Sequence, residues 1–279
     1  MTTYLILLCL LQSLYIFPIS HPLVVISILY VYNLFYLSLW KLFVSLFLLI
    51  PYQFTSICFY HRYFSHKSFT TSRFMQFIFA LIACVTYQGG PIWWASIHRK
   101  HHKYCGTIDD PHSPIHGFYY AFLGWPFVET TIYKKYVPDL LKYPELIILD
   151  RFSYIPAILT FLFLQYTINT NNTIYLYVYP CILNTLSNLS YNVSYHNPKE
   201  KDTCMAIDVN IPIKFCWQLL HKDFSLLLTL IGYILSKLSG EHLHKTHHKH
   251  PKQIKRGEYD LAYYFIISPL LKMNLIQKK

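Results

Sequence analysis

Charged side chains are scarce in this sequence. They make up 13% of 279 residues, and only 13 residues are acidic. A soluble domain carries about 25% charged residues, so this chain lacks the polar groups to cover a soluble surface of its size. Apolar residues reach 54% and aromatics 18%, which excludes a disordered or collagen-like chain and makes an integral membrane protein the leading class. The seven cysteines (9, 58, 84, 105, 181, 204 and 216) include no C-x-x-C pair. That odd, unpatterned set reads as thiols in apolar surroundings rather than a secreted disulfide frame. Glycine is sparse too, and no Rossmann fingerprint, flavin motif or haem-attachment motif occurs. A net charge of +11 could suggest nucleic acid, but long uncharged stretches interrupt the basic residues. A membrane surface or an anionic substrate fits that spacing better.

The uncharged stretches set the topology. Lys41 is the single charged side chain before His61, and none occurs between Phe152 and Pro198. A helix needs about 20 apolar residues to cross the hydrocarbon core. Spans are therefore expected near Pro22–Ser38, Leu39–Tyr60, Phe152–Ile168 and Ile174–Tyr191, the last two joined by the polar turn at 169–172. A further apolar segment at 4–17 is either an interfacial helix or an extra span. All other lysines and arginines fall in 62–151 and 199–279, two blocks that the positive-inside rule puts together on the cytoplasmic face. The shorter apolar runs Phe74–Tyr87 and Phe224–Leu235 read as interfacial or buried helices. The expected fold is all-α: one domain over residues 1–279, with four transmembrane helices in two hairpins and a cytoplasmic helical cap.

What the sequence has in excess is histidine, 15 in all. Eight fall in three clusters: His61-Arg-Tyr-Phe-Ser-His66, His98-Arg-Lys-His101-His102 and His244-Lys-Thr-His247-His248. Helix positions i, i+3 and i+4 share one face, so the second and third clusters each present three imidazoles together. His61 and His66 can converge at a helix end. Neutral imidazole binds iron, zinc, copper or nickel, and eight imidazoles suit two ions. No acid sits inside a cluster, which excludes the carboxylate-rich di-iron bundle with its Glu-x-x-His pairs. Lone His21, His221 and His250 read as incidental. Asp110, His112 and Glu241 adjoin the clusters and are candidates to orient the imidazoles through their second nitrogen. Arg99, Lys100 and Lys103 stand at the mouth and could meet a phosphate-bearing head group.

These clusters, in this order and spacing, resemble the histidine boxes of the membrane fatty acid desaturases, specifically the Δ9 acyl-CoA and acyl-lipid branch. Flanking residues extend the likeness: Ser68-Phe69, Gln88-Gly89-Gly90-Pro91, Trp94, Asp110-Pro111-His112-Ser113-Pro114, Gly117-Phe118, Gly124-Trp125 and Gly240-Glu241. Strong likeness covers about 60–126 and 240–251. The resemblance implies a centre of two Fe2+ ions held by His61, His66, His98, His101, His102, His244, His247 and His248, with O2 as co-substrate. It implies a saturated acyl chain on CoA or lipid as substrate, and cytochrome b5 or ferredoxin as electron donor. It assigns Gln88 and Trp94 to the bend of an acyl tunnel. Near the end of its fourth span the family carries an Asn-x-x-x-His motif, the Asn meeting iron through water and the His ligating. Asn184 matches the first position, and Asn188 stands at the histidine position. His196 lies farther along, off the helix face of Asn184. The expected membrane is the endoplasmic reticulum in a eukaryote and the inner membrane in a bacterium, and no nucleic-acid partner is expected. Rival readings are a di-iron hydroxylase, a metal transporter and an inactive metal-binding relative; transport would put ligands near mid-membrane, where these histidines are not expected.

Overall fold

A computed structural model describes residues 38–197, 204–209 and 226–279. The expected first span and the segment at 4–17 lie outside them, except for Ser38. So do His21, His221, Cys9 and Cys216.

Ser38 starts the first described helix, its hydroxyl accepting from the Lys41 amide. Helix α1 runs over Leu39–Thr55 and passes without a break into a π-helical segment, Ser56–Ser65. The combined 27-residue helix, Leu39–Ser65, is long and apolar enough to cross a membrane. Its exposed residues, Leu39, Trp40, Phe43 and Phe47, are apolar or aromatic, as a lipid-facing surface requires. After β1 (Phe69–Thr71), α2 (Arg73–Val85) is capped by the Ser72 hydroxyl. Helix α3 (Pro91–Tyr104) opens with proline at its first position, where the missing N–H costs nothing.

The second apolar region is bent. Helix α4 (Pro144–Arg151) meets α5 (Ile155–Ile168) at 61°, and the two count as one span only if that broken pair crosses together. The chain then turns at Asn169 and continues helically through Thr170–Thr173 and Ile174–Val178 into α6 (Tyr179–Ser194). Helix α6 packs along α1, tied to it by bonds such as Asn184 Nδ2 to Ser56 Oγ at 2.9 Å. Helices α7 (Leu226–Ser239) and α8 (His244–Lys249) follow. The chain is mainly helical, as expected, but not entirely so. The segment Ile276–Lys278 forms β2 and pairs antiparallel with β1, Phe69 opposite Lys278, which draws the C-terminal segment against the residues just after His66.

A second departure concerns cysteine. Cys58, Cys84 and Cys181 are buried thiols, as expected, but Cys105 and Cys204 are joined in a disulfide. Their 99-residue separation leaves no spacing signal; only the fold brings the end of α3 beside the segment 204–209, which turns at Cys204 and makes isolated bridges at Ala206 and Asp208.

The start of α3 is held from outside the helix. The Asp150 carboxylate of α4 accepts from the Ile92 and Trp93 amides at 2.7 and 3.0 Å, satisfying two donors that a helix N-terminus leaves open and countering its positive dipole. This approach is possible because residue 90 is glycine: a Cβ there would lie 2.0 Å from Asp150 Oδ1. Gly90→Ala should therefore destabilise the protein by about 1–3 kcal/mol, read as a lowered melting temperature in detergent. An unchanged melting curve would show that the α3–α4 junction is slack.

Candidate metal centre

The π-helical segment explains the spacing of the first cluster. In a π-helix the bonded partner is five residues back, and the His66 amide donates to the His61 carbonyl at 3.2 Å. Two histidines five apart thus share one face, which an α-helix would deny them. Their rings lie 4.9 Å apart, centroid to centroid. His98, His101 and His102 project from α3, and His244, His247 and His248 from α8. The Asp208 carboxylate fixes the start of α8, accepting from the Thr246 amide at 3.0 Å and its hydroxyl at 2.6 Å.

All eight box imidazoles meet, and they sort into two groups. The ligand atoms of His61, His66, His98, His102 and His247 lie within 4.8 Å of one another. His66 Nε2 is 2.8 Å from His98 Nε2, and His247 Nε2 is 3.1 Å from His61 Nε2 and 3.0 Å from His102 Nε2. In the second group His248 Nε2 stands 3.3 Å from His101 Nε2 and 3.1 Å from His244 Nε2. A ninth imidazole joins it: His196 is buried, with its ring centroid 4.7 Å from that of His244 and 5.0 Å from that of His101.

Carboxylates behind the rings decide which nitrogen faces inward. His101 Nδ1 donates to the Asp110 carboxylate at 3.0 Å, and His61 Nδ1 lies 3.2 Å from Glu241 Oε2. A carboxylate only accepts, so His101 Nδ1 carries the hydrogen and its Nε2 turns a bare lone pair toward His248 Nε2; His61 Nδ1 lies between Glu241, which accepts, and Arg256 Nη1 at 3.3 Å, which donates. Burial pushes the pKa of His66, His98, His101, His102, His244, His247 and His248 well below the ordinary 6.5, so the rings are neutral. Both nitrogens of His196, and Nδ1 of His244 and His247, are buried without a hydrogen-bond partner. Clustered buried lone pairs with too few protons between them are costly, and a cation at the centre of each group removes the cost. The separations agree: metal–imidazole bonds of about 2.0–2.1 Å put neighbouring nitrogens about 3 Å apart. The donor set fits transition-metal ions, five imidazoles in one group and four in the other.

Behind Glu241 lies a buried ionic network. Arg256 Nη1 donates to Glu241 at 2.6 Å, Arg62 Nη1 pairs with Asp260 at 2.8 Å, and the Arg256 amide donates to Asp260 at 2.7 Å. These charges hold the Glu241 carboxyl below the usual carboxylate range, chiefly through Arg256 once burial is overcome. Burial lowers Arg256 to about 10, which leaves it charged at neutral pH. Sequence reasoning misses Asp208, Arg256 and Asp260 because they lie outside the boxes, although three such charges in so charge-poor a chain are themselves a signal.

Other expected residues fall differently. The His112 ring lies against that of His101, tilted to it at a centroid distance of 4.3 Å, and its amide donates to Asp110, so Asp110, His112 and Glu241 all adjoin box imidazoles. Trp94 is sandwiched between Tyr60 and His98. Gln88 and Trp94 both line a cavity of about 130 Å3 that also touches His61, His98, His101 and His244. Asn184 donates to Ser56 while its Oδ1 is buried without a hydrogen-bond partner, and Asn188, which accepts from Gln53 and donates to Gln88 at 2.9 Å, lines the same cavity. The Asn-x-x-x-His spacing recurs two turns later as Asn192-Val-Ser-Tyr-His196, and Asn192 and His196 both line the cavity. Arg99 spans the carbonyls of Phe64, Ser65 and Tyr136 and pairs with Asp139 at 2.6 Å, clamping α3 to the π-helical segment. Lys100 donates to the Tyr133 hydroxyl at 2.9 Å, and Lys103 is exposed.

The chain matches the family model "Fatty acid desaturase" over residues 38–252, and it belongs to that family. It is similar to the sn-2 palmitoyl-lipid 9-desaturase of Nostoc (41% identity over 100 residues, 33% of this chain and 35% of that protein). It is also similar to the acyl-CoA C20 Delta5-desaturase of Anemone leveillei (37% over 113 residues, 37% and 36%). A third relative is the Delta-9 acyl-lipid desaturase 1 of Arabidopsis thaliana (38% over 112 residues, 38% and 36%). The chain spans about a third of the length of these curated relatives. Membership implies iron as the metal, and the histidine clusters are able to bind one.

The electrostatics of the rings can be tested in two ways. Metal-free protein should lose stability as pH falls below about 6.5: there the unfolded imidazoles bind protons that the buried ones refuse, and stability depends on that difference. Above that pH the contribution is fully present. Urea unfolding from pH 8 to pH 5 checks it, and a flat profile would mean the rings are solvated. Asp110→Ala removes the acceptor that aims His101 and should weaken iron retention about 10–100-fold, read by chelator competition.

Proposed function

We propose that the protein is an O2-dependent fatty acyl desaturase that inserts a cis double bond, at the Δ9 position, into a saturated chain carried on lipid or CoA. The observation that carries this reading is the double group of buried, neutral, inward-facing imidazoles beside a mostly apolar cavity. Removing hydrogen from two adjacent unactivated methylenes is beyond any side-chain acid or base. Two irons, when bound, would supply that oxidising power from O2. His61, His66, His98, His102 and His247 would hold one, and His101, His196, His244 and His248 the other.

The chain's own residues do the rest. Asp110 keeps the Nδ1 proton of His101, so that its Nε2 presents a lone pair, and Glu241 with Arg256 positions the His61 ring. Ile57, Trp93, Ile97, Trp125 and Leu189 give the acyl chain an apolar wall and exclude water, which sharpens the electrostatics inside. Gln88, hydrogen-bonded to Ser56 and Asn188, offers a fixed polar point in that wall at the tunnel's bend. Lys103, exposed beside the site, would meet a head-group phosphate, with Lys100 next to it held by Tyr133 and Glu129. Electrons come from a separate carrier, cytochrome b5 or ferredoxin. This reading takes the chain as a four-span membrane protein with the boxes on the cytoplasmic side; the apolar helix Leu39–Ser65 supports one of those spans, and the expected span at 22–38 lies outside the described residues apart from Ser38.

The test is expression in a desaturase-deficient host with gas chromatography of its fatty acids. A new cis monoene is expected, lost to background in His247→Ala. A hydroxy acid in its place would make the protein a hydroxylase, and metal-loaded protein without product would sink the reading. Iron analysis separates the two asparagine-containing pairs: His196→Ala should release part of the iron, whereas Asn188→Leu should keep the wild-type content.

A further inference from the structure

The Cys105–Cys204 disulfide sits against the second group of imidazoles. Cys105 is the residue that ends α3, three positions after His102, and its sulfur lies within 4.8 Å of ligand atoms of His101, His196 and His248. Cys204 Sγ is 3.0 Å from His248 Nδ1. Cys204 opens the segment that continues through Ala206, bridged to His196, and Asp208, bridged to Leu243 and capping α8. One bond therefore ties together the three backbone pieces that carry His101, His196 and His248.

The contact with His248 has a direction. His61 and His101 have carboxylates behind Nδ1, whereas His248 has Cys204 sulfur there. A disulfide sulfur carries no hydrogen and can only accept, so it takes the Nδ1 hydrogen and leaves the Nε2 lone pair aimed at His101 and His244. A free thiol carries a hydrogen and can donate to Nδ1 instead, which moves the ring hydrogen to Nε2 and turns a ligand atom into a donor. Both cysteines are half-buried, within reach of a small reductant.

We propose that Cys105 and Cys204 form a redox-active pair that sets metal retention in the His101–His196–His244–His248 group, its reaction partner being a dithiol. This rests on the reading of those imidazoles as a metal centre. In the step, a dithiol gives two electrons and two protons to the sulfur–sulfur bond; that bond breaks, Cys105 and Cys204 become thiols, and the reductant leaves as its own disulfide. The oxidised pair holds the group in its metal-binding form, and the reduced pair releases His248 and uncouples the end of α3 from the 204–209 segment.

The experiment uses the full chain in nanodiscs, loaded anaerobically with Fe2+, before and after dithiothreitol treatment and desalting. Mass-tagging should count two more reactive thiols after reduction. Chelator competition should show part of the iron held about 10–100-fold less tightly, with the remainder unchanged. The double variant Cys105→Ser/Cys204→Ser should hold that part weakly in both conditions; if it fails to fold, the reduced wild type gives the same comparison. Equal retention in both states overturns the proposal, and so does tighter retention on reduction, as a sulfur ligand from Cys105 would give. An alkene-forming, iron-loaded protein indifferent to dithiothreitol removes this inference alone. A protein that takes up no iron in either state removes the metal reading with it.

Discussion

The structure turns on a deficit of protons. Nine imidazoles are packed into a space from which water is largely excluded, and burial keeps them neutral. The carboxylate at the back of His101 then assigns hydrogen to the outer nitrogen and strips it from the inner one, while Glu241 and Arg256 together hold the outer nitrogen of His61. Nitrogen lone pairs left facing each other at about 3 Å have no mutual solution by hydrogen bonding, because too few hydrogens remain to share. The fold commits much of its polar content to keeping this arrangement. The Arg62–Glu241–Arg256–Asp260 network lies wholly inside, where breaking one partner of such a set typically costs about 3–5 kcal/mol. In a chain with 13 acids, Asp110, Asp150, Asp208, Glu241 and Asp260 all hold a backbone or an imidazole near the centre.

Three helical segments converge on one pocket, and their geometries solve different problems. Helices α3 and α8 offer imidazoles at the i, i+3 and i+4 positions of an ordinary α-helix. The first cluster is spaced five apart and needs the wider π-helical turn, in the same uninterrupted helix that is apolar enough to reach through lipid. A stretch apolar enough to span a membrane and histidines placed to hold a metal thus share one element, and the change of helical pitch comes just before the residues turn from apolar to histidine-bearing.

The boxes are legible in the sequence because three histidine clusters at helical spacing, all in the basic blocks, are hard to produce by composition alone. The helical character of most segments is legible too, from the apolar runs. Relations fixed only by tertiary structure are not. Cys105 and Cys204 meet across 99 residues, and Arg256 finds Glu241 through a loop with no periodic signal. An apolar span ending near Tyr191 puts the asparagine motif at Asn184 and Asn188. In the structure α6 runs to Ser194 and carries the pattern to Asn192 and His196. Arg99 stands beside two box histidines and reads as solvent-facing, yet the arginine fork matches the open carbonyls at the end of the π-helical segment. Each of these is a matter of which polar group lacks a partner, a question the sequence poses without answering.

The pairing of the first cluster with the third has a consequence for biosynthesis. His61 and His247 are separated by 186 residues, which a ribosome working at about 5–20 residues per second takes roughly 10–40 s to produce. Throughout that interval the end of α1 has emerged with its imidazoles but without Glu241, Arg256 or their partners on α8. Any ion captured then would be held by an incomplete set. A complete ligand set is therefore a late product of synthesis, and a cell making this protein must keep its nascent histidines from loosely held copper or zinc until the last box arrives.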